Sequence, residues 1–305
     1  MRQKKLQDLT IKDNFMFGAV MTDPENCRLF LERALGFPIS RVTVSKEKSI
    51  VYHPEYKGIR LDVYARDDHN THYNVEMQML KHPALGKRSR YYHSQIDMEL
   101  LLSGMDYEEL PDTYVIFICN FDPFHKKKYC YTFDSICRED GTISSEEGRH
   151  TVFLSTCGEN EEDISEPLLK FLKFVKANLK ESTEDFGDDY IQRLQDAIRQ
   201  IKSDREMEER YMILEQMLKD ERREGRNEGR RQGLSEGRKQ GLSEGEKRGI
   251  VKSLLSLLEV KFDTIPEELR EKIDSMQDFD TLNSWVKIAA KAETMEEFQE
   301  KISTL

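Results

Sequence analysis

Two stretches with alternating apolar and polar residues constrain the fold more than any other feature of this chain. They span residues 59–64 and 73–79, and a cluster of polar turn formers lies between them. Alternation with a period of two residues is typical of a half-buried strand, and the polar cluster indicates a reversal of the chain. The sequence therefore predicts an antiparallel hairpin centred on position 69.

A hairpin with this centre sets Asp62 directly across from Glu76, with β-carbons about 5 Å apart. Gln78 returns to the same face, whereas Leu61 and Val63 are expected on the opposite face. Two like charges across a strand pair are destabilising unless something offsets them, and Mg²⁺ is a cation that carboxylate oxygens bind. The alternative is a solvated acidic face, which a chain with 58 Asp and Glu residues can readily supply. Spacing alone leaves both interpretations open.

The other elements follow from caps, breakers and apolar runs. Helices are expected within 10–36, with a start at Asp23 and Pro24 and an end at Gly36, and again at about 83–102. Strands are expected near 41–45, 48–53, 59–65 and 73–79. A fully buried strand is expected at 114–119, and shorter ones at 129–133 and 151–154. Two helices follow from about 165, the second starting near 188.

Several of these blocks, taken in order, resemble the PD-(D/E)XK nuclease superfamily. The resemblance is strongest to its recombination-promoting nuclease or transposase family, and it covers about residues 8–215. It rests on residues 11–17, 60–63, 75–78, 87–92 and 104–118. Gln78 stands where the superfamily pattern has lysine, although the E-x-Q form is characteristic of this subfamily.

The resemblance implies an α/β fold with a restriction-endonuclease-like αβββαβ core. It also implies a Mg-dependent endonuclease that hydrolyses DNA phosphodiester bonds with low sequence specificity, in a role linked to recombination or mobile elements. Asp62 and Glu76 would hold Mg²⁺ or another divalent cation, and Gln78 would orient the attacking water or contact the metal. Asp13 would add a further acidic group near the metal. Its alternative role is a negative charge at a helix N-terminus.

Four residues on the helix after the hairpin recur at helical spacing and are candidates for binding DNA. They are Arg88, Tyr91, Tyr92 and Gln95. Such residues can clamp the phosphate backbone or stack on a base. The alternative is a polar helix face with half-buried tyrosines, and we expect one of the two tyrosines to pack in the core.

Composition narrows the class of protein. The net charge of −11 counts mildly against a high-affinity nucleic-acid binder but not against a nuclease. Five cysteines without C-x-x-C spacing indicate neither a zinc site nor a disulfide framework. No apolar run is long enough for a membrane span, and the basic start has no apolar core of a signal peptide behind it. We expect a cytoplasmic protein.

Seven glycines recur at every fourth position between residues 220 and 249. They are Gly225, Gly229, Gly233, Gly237, Gly241, Gly245 and Gly249. Interior glycines weaken a helix, which favours a solvated linker over residues 216–249. The strict period of four instead favours a helix that packs closely on another helix, as in a homo-oligomer contact. Both interpretations remain open. Residues 250–305 are expected to form a small helical module without chemistry, with helices at 267–273, 282–292 and 295–302.

Two rival functions remain. One is a catalytically quiet scaffold or DNA-binding protein that keeps the nuclease fold and self-associates through its helical tail. The other is a transposase that catalyses strand transfer, but the sequence shows no separate DNA-binding module to locate transposon ends. A site that had lost its catalytic activity would not need Asp62, Glu76 and Gln78, so the nuclease is favoured.

Overall fold

A computed structural model describes residues 4–46, 48–50 and 59–303. The chain forms two compact units, Met1–Leu214 and Glu215–Leu305. The strands are β1 (Val42–Lys46), β2 (Ser49–Ile50), β3 (Ile59–Arg60), β4 (Val63–Asp67), β5 (His72–Gln78), β6 (Thr113–Cys119), β7 (Cys130–Phe133) and β8 (Arg149–Ser155). The α-helices are α1 (Asn14–Met21), α2 (Pro24–Leu35), α3 (Leu85–Leu100), α4 (Glu166–Lys176), α5 (Asp189–Ser203), α6 (Arg205–Phe262), α7 (Glu267–Ser275), α8 (Phe279–Lys291) and α9 (Met295–Ser303).

The first unit is built on a six-stranded mixed sheet with the order β1-β4-β5-β6-β8-β7. β4 and β5 are antiparallel, and Val63 lies opposite Val75, which confirms the hairpin centred on position 69. β5, β6 and β8 run parallel, and β7 returns antiparallel along the edge. The predicted α/β class is confirmed, as is the buried strand at β6, whose residues from 115 to 119 are all buried.

Helices cover both faces of this sheet. One face packs with α1, α2, α4 and α5 into the larger hydrophobic core of the unit. The other face is covered by α3, whose buried Leu85, Tyr92 and Ile96 form an apolar stripe along one side of the helix. This stripe orients α3 so that Arg88 reaches Glu76 and Gln78 near the end of β5, whereas Ser89 and His93 contact β6 and β8.

The expectation of one continuous strand over 59–65 is wrong. The backbone bends at Asp62, so that β3 pairs with β2 in a separate two-stranded sheet and β4 joins the main sheet. Leu61 is buried in the core under α3, whereas Val63 lies in the core on the opposite face. The predicted shared face of Leu61 and Val63 is therefore also wrong, because a bend breaks the period of two on which it depended.

The expected helix boundaries in the N-terminal region are confirmed. The Asp23 side chain accepts a hydrogen bond of 2.9 Å from the Asn26 amide and so caps the start of α2. Gly36 ends the helix in the left-handed conformation, with φ of 80°. Of the strand expected over 48–53, β2 accounts for residues 49–50, and residues 51–53 lie outside the described part of the chain.

The second unit contains most of α6 followed by α7, α8 and α9 around Trp285. Its buried core residues are Leu254, Leu258, Leu269, Ile273, Leu282, Trp285, Ala289, Ala292, Phe298 and Ile302. All seven glycines of the repeat lie in α6, and a β-carbon added at any of them would meet, apart from the adjoining backbone of the helix itself, no atom of the described residues within 4 Å. Among the described residues, no helix is long and apolar enough to cross a membrane.

Candidate active site

Asp62 and Glu76 lie together where β4 and β5 begin to pair. The Asp62 amide donates a hydrogen bond of 3.2 Å to Glu76 Oε1, and the Met77 amide donates one of 3.2 Å to Asp62 Oδ2. Each carboxylate is thus held by the backbone beside the other. Glu76 is only 1% exposed, so a solvated acidic face does not describe its surroundings.

Arg88 reaches this carboxylate from α3. Its Nη2 lies 2.7 Å from Glu76 Oε2, and its Nη1 donates a hydrogen bond of 3.1 Å to Gln78 Oε1. Its Nε donates to the Tyr92 hydroxyl at 2.6 Å, and that hydroxyl lies 3.5 Å from Glu76 Oε2. One guanidinium therefore connects Glu76, Gln78 and Tyr92. The Arg88 side chain remains 30% exposed, so it also reaches solvent.

The electrostatics of the site are dominated by the burial of Glu76. Burial and the nearby charge of Asp62 raise the pKa of Glu76 to about 8, and the opposing effects of Arg88, the Asp62 amide and Asn74 are smaller. Burial and the charge of Glu76 also raise the pKa of Tyr92 to about 12. The site as it stands disfavours two negative charges, and an added cation would relieve that cost.

The other residues predicted to bind DNA occupy different environments. Tyr92 is 5% exposed and stacks on Phe117 with ring centroids 6.2 Å apart, so it is the tyrosine that packs in the core. Tyr91 is half-buried beside the same core. Gln95 lies three residues after Tyr92 and is also buried. The structure thus brings Arg88 and Tyr92 to the carboxylates, whereas substrate binding by Tyr91 and Gln95 stays a prediction.

Asp13 has its own partners at the start of α1. Its Oδ2 accepts a hydrogen bond of 2.8 Å from the Thr10 amide, and its Oδ1 pairs with Lys4 Nζ at 2.7 Å. The next residue, Asn14, contacts the site instead, because its Nδ2 lies 3.5 Å from Asp62 Oδ2. A role for Asp13 as a metal ligand stays a prediction. Asn14 was missed, although it lies in the block that carried the family resemblance.

The donor set at the site suits a hard cation. Mg²⁺ typically takes one or two carboxylates and completes its coordination with water and substrate phosphate. Asp62 and Glu76 supply the carboxylates, and the side-chain carbonyl of Gln78 supplies a neutral oxygen. Among the described residues, no three His, Cys, Asp or Glu side chains are grouped to hold a metal by themselves. A cation here would therefore depend on the carboxylate pair, the Gln78 oxygen and ligands from outside the chain.

A row of polar side chains lies on the same face of β5 as Glu76. His72 and Asn74 are 4% and 0% exposed, and the His72 Nδ1 lies 2.5 Å from the Tyr64 hydroxyl. In the described part of the chain, Asn74 Nδ2, Asn74 Oδ1 and His72 Nε2 have no hydrogen-bond partner. A buried polar group without a partner costs about 1–3 kcal/mol, so an amide at position 74 needs an explanation. The alternation of β5 placed Asn74 on this face, but no motif singled it out.

Comparison with known proteins complements this geometry. Neither a search of curated proteins nor a search of solved structures gave a match. A family model described as PD-(D/E)XK nuclease family transposase matches residues 12–227. This range includes the carboxylate pair, Gln78 and all of α3. Because the match covers more than two-thirds of the sequence, the chain belongs to the PD-(D/E)XK nuclease family transposases.

Proposed function

We propose that this protein is a Mg-dependent DNA endonuclease with low sequence specificity that acts in recombination or on mobile elements. Membership of a nuclease family supports hydrolysis of phosphodiester bonds in DNA. The observation that carries the proposal is the Glu76 carboxylate, which is held beside Asp62 and whose pKa is raised by burial and, to a smaller extent, by the charge of that neighbour. Strongly perturbed acidic groups beside a specific charged partner are common at catalytic sites.

Asp62 and Glu76 are the residues proposed to hold the divalent cation. When bound, such an ion supplies Lewis-acid stabilisation of the phosphate and a water of lowered pKa. Gln78 lies two residues after Glu76 on the same face, and its proposed role is to orient that water through its amide. Because an amide does not accept a proton near neutral pH, Gln78 is a positioning group and not a general base.

Arg88 provides the positive charge that Gln78 lacks. The superfamily pattern has a lysine at the position of Gln78, and the Arg88 guanidinium lies 3.1 Å from the Gln78 side-chain oxygen. Arg88 comes from α3 and is partly exposed, so its guanidinium can contact a phosphate oxygen that approaches the carboxylates. We propose that it neutralises charge on the substrate, as the lysine would.

Plasmid nicking tests the proposed function. Asp62→Ala and Glu76→Ala should each abolish Mg²⁺-dependent nicking of supercoiled plasmid while the protein stays folded by circular dichroism. Asp68→Ala is the matched control, since it removes an exposed carboxylate from the turn of the same hairpin. The control should nick at the wild-type rate. Wild-type rates for both Asp62→Ala and Glu76→Ala would refute the site.

We further propose that α6 pairs with a second copy of the chain. Its glycine face contacts nothing within the described chain, so a second backbone could approach it closely. The two columns of residues that flank the glycines differ in charge. Glutamate precedes four of the glycines (Glu224, Glu228, Glu236 and Glu244) and arginine precedes one (Arg248), whereas arginine follows three (Arg226, Arg230 and Arg238) and glutamate follows one (Glu246). When two such helices pair in parallel, the residues before the glycines in one helix face the residues after the glycines in the other, as g and e positions do in coiled coils. Glutamates of one helix then face arginines of the other, so the charges favour a parallel dimer.

A further inference from the structure

Asn74 carries a buried side-chain amide, two residues before Glu76, for which the described residues provide no hydrogen-bond partner. It is fully buried in β5, between Tyr64 of β4 and Val115 of β6. An apolar side chain at this position would avoid the cost of burying an unpaired amide. The position within the sheet gives no reason for an asparagine at residue 74. The reason therefore lies with the neighbouring residues on the same face.

Glu76 is that neighbour. Residues 74 and 76 lie on the same face of β5, and the Asn74 amide lies close enough to favour the charged form of Glu76. The carboxylate is now held through Oε2 by Arg88 and through Oε1 by the Asp62 amide. A cation bound to Glu76 would compete with Arg88 for the same oxygen lone pairs. A neutral donor fixed in the strand would not compete by charge.

We propose that Asn74 is a positioning residue, whose amide orients the Glu76 carboxylate when that carboxylate holds a divalent cation. The inference rests on the proposed cation site at Asp62 and Glu76. Hydrogen bonds to ligating carboxylates fix their orientation, and removal of such partners typically lowers metal affinity about 10- to 100-fold. Asn74 acts through Glu76 and does not touch the reacting phosphate.

Replacement by leucine separates positioning from packing. Asn74→Leu keeps a similar shape but removes both polar atoms of the amide. We expect its resistance to urea in EDTA to equal or exceed that of the wild type, because the unpaired amide is gone. We also expect Mn²⁺ to bind about 10- to 100-fold more weakly, as measured by electron paramagnetic resonance of free Mn²⁺. A residue with only a structural role would change the stability and leave the Mn²⁺ affinity unchanged.

Two further variants serve as controls. Tyr64→Phe removes a buried hydroxyl from the residue opposite Asn74 and should leave Mn²⁺ affinity unchanged. Glu76→Gln should abolish the site, so equal Mn²⁺ binding by wild type and Glu76→Gln would overturn both the proposed function and the role of Asn74. Loss of binding in Glu76→Gln with wild-type affinity in Asn74→Leu would overturn the role of Asn74 alone.

If Asn74→Leu does not fold, Asn74→Ser takes its place. The serine side chain is too short to reach Glu76, so the same loss of Mn²⁺ affinity is expected.

Discussion

Replacement of Glu76 by glutamine tests the electrostatics of the site without a nuclease assay. Glutamine keeps the shape of the side chain but cannot carry a negative charge beside Asp62. In the wild-type protein, burial and the charge of Asp62 raise the pKa of Glu76 from 4.5 to about 8. Because the folded-state pKa exceeds the unfolded one, the stability contributed by Glu76 is present below pH 4.5 and is lost as the pH rises through 8.

The size of this loss follows from the difference between the two pKa values. Each pH unit of difference corresponds to about 1.4 kcal/mol of unfolding free energy. Glu76 is only 1% exposed, so solvent screens its interactions little. The full effect is therefore up to about 5 kcal/mol. In EDTA, between about pH 5 and pH 9, we expect the wild type to lose several kcal/mol of stability relative to Glu76→Gln.

Urea unfolding followed by two signals measures this difference. Far-ultraviolet circular dichroism reports on both units, whereas fluorescence of the single tryptophan, Trp285, reports on the second unit alone. The Trp285 transition should be the same in both proteins and serves as an internal control. Burial lowers the pKa of His72 to about 4 and of His93 to about 3, which makes stability rise with pH in the acid range. Both proteins share these histidines, so their effect cancels in the difference.

Added Mg²⁺ should reverse the loss at high pH in the wild type and not in Glu76→Gln. A cation that binds only the folded state at 100 times its dissociation constant contributes about 2.7 kcal/mol. The reasoning is refuted if the unfolding free energies of the two proteins differ by a constant amount from pH 5 to pH 9. That result would mean that Glu76 ionises as easily in the folded as in the unfolded state.

Two other predictions concern Gln78 and the glycine helix. Gln78→Lys should fold and keep at least partial plasmid nicking, whereas Gln78→Ala should lose more, because only the alanine lacks a polar group to orient water. Equal nicking by wild type and Gln78→Ala would refute a role for the amide. Leucine at Gly229, Gly233, Gly237 and Gly241 should raise helicity but block close approach, and so shift the protein toward monomer in sedimentation. A wild type that is monomeric at all accessible concentrations would exclude an intermolecular role for these glycines.

The register of the β4–β5 hairpin could be predicted from sequence because its signals are local. The period of two predicted the faces of β4 and β5 themselves, and the symmetry of the turn about position 69 predicted the register that pairs Val63 with Val75 and brings Asp62 beside Glu76. The start of α2 at Asp23 and its end at Gly36 were equally local, since each depends on one cap. The bend at Asp62 was not predictable in this way. It arises because β3 pairs with β2 in a separate sheet, and strands of two residues are too short to show a period of two in the sequence.

Which residues meet at the site depends on tertiary contacts, and these are harder to predict from sequence than the bend at Asp62. Spacing along α3 placed Arg88 and Tyr92 on one face of the helix, but only the packing of α3 on the sheet sets that face against Glu76. The same packing decides the chemistry of the carboxylate pair. On an open sheet, solvent would screen the two charges and their repulsion would be slight. Under α3, Glu76 is withdrawn from water, so its charge needs a counter-charge: Arg88 supplies one in this structure, and a divalent cation would supply a stronger one.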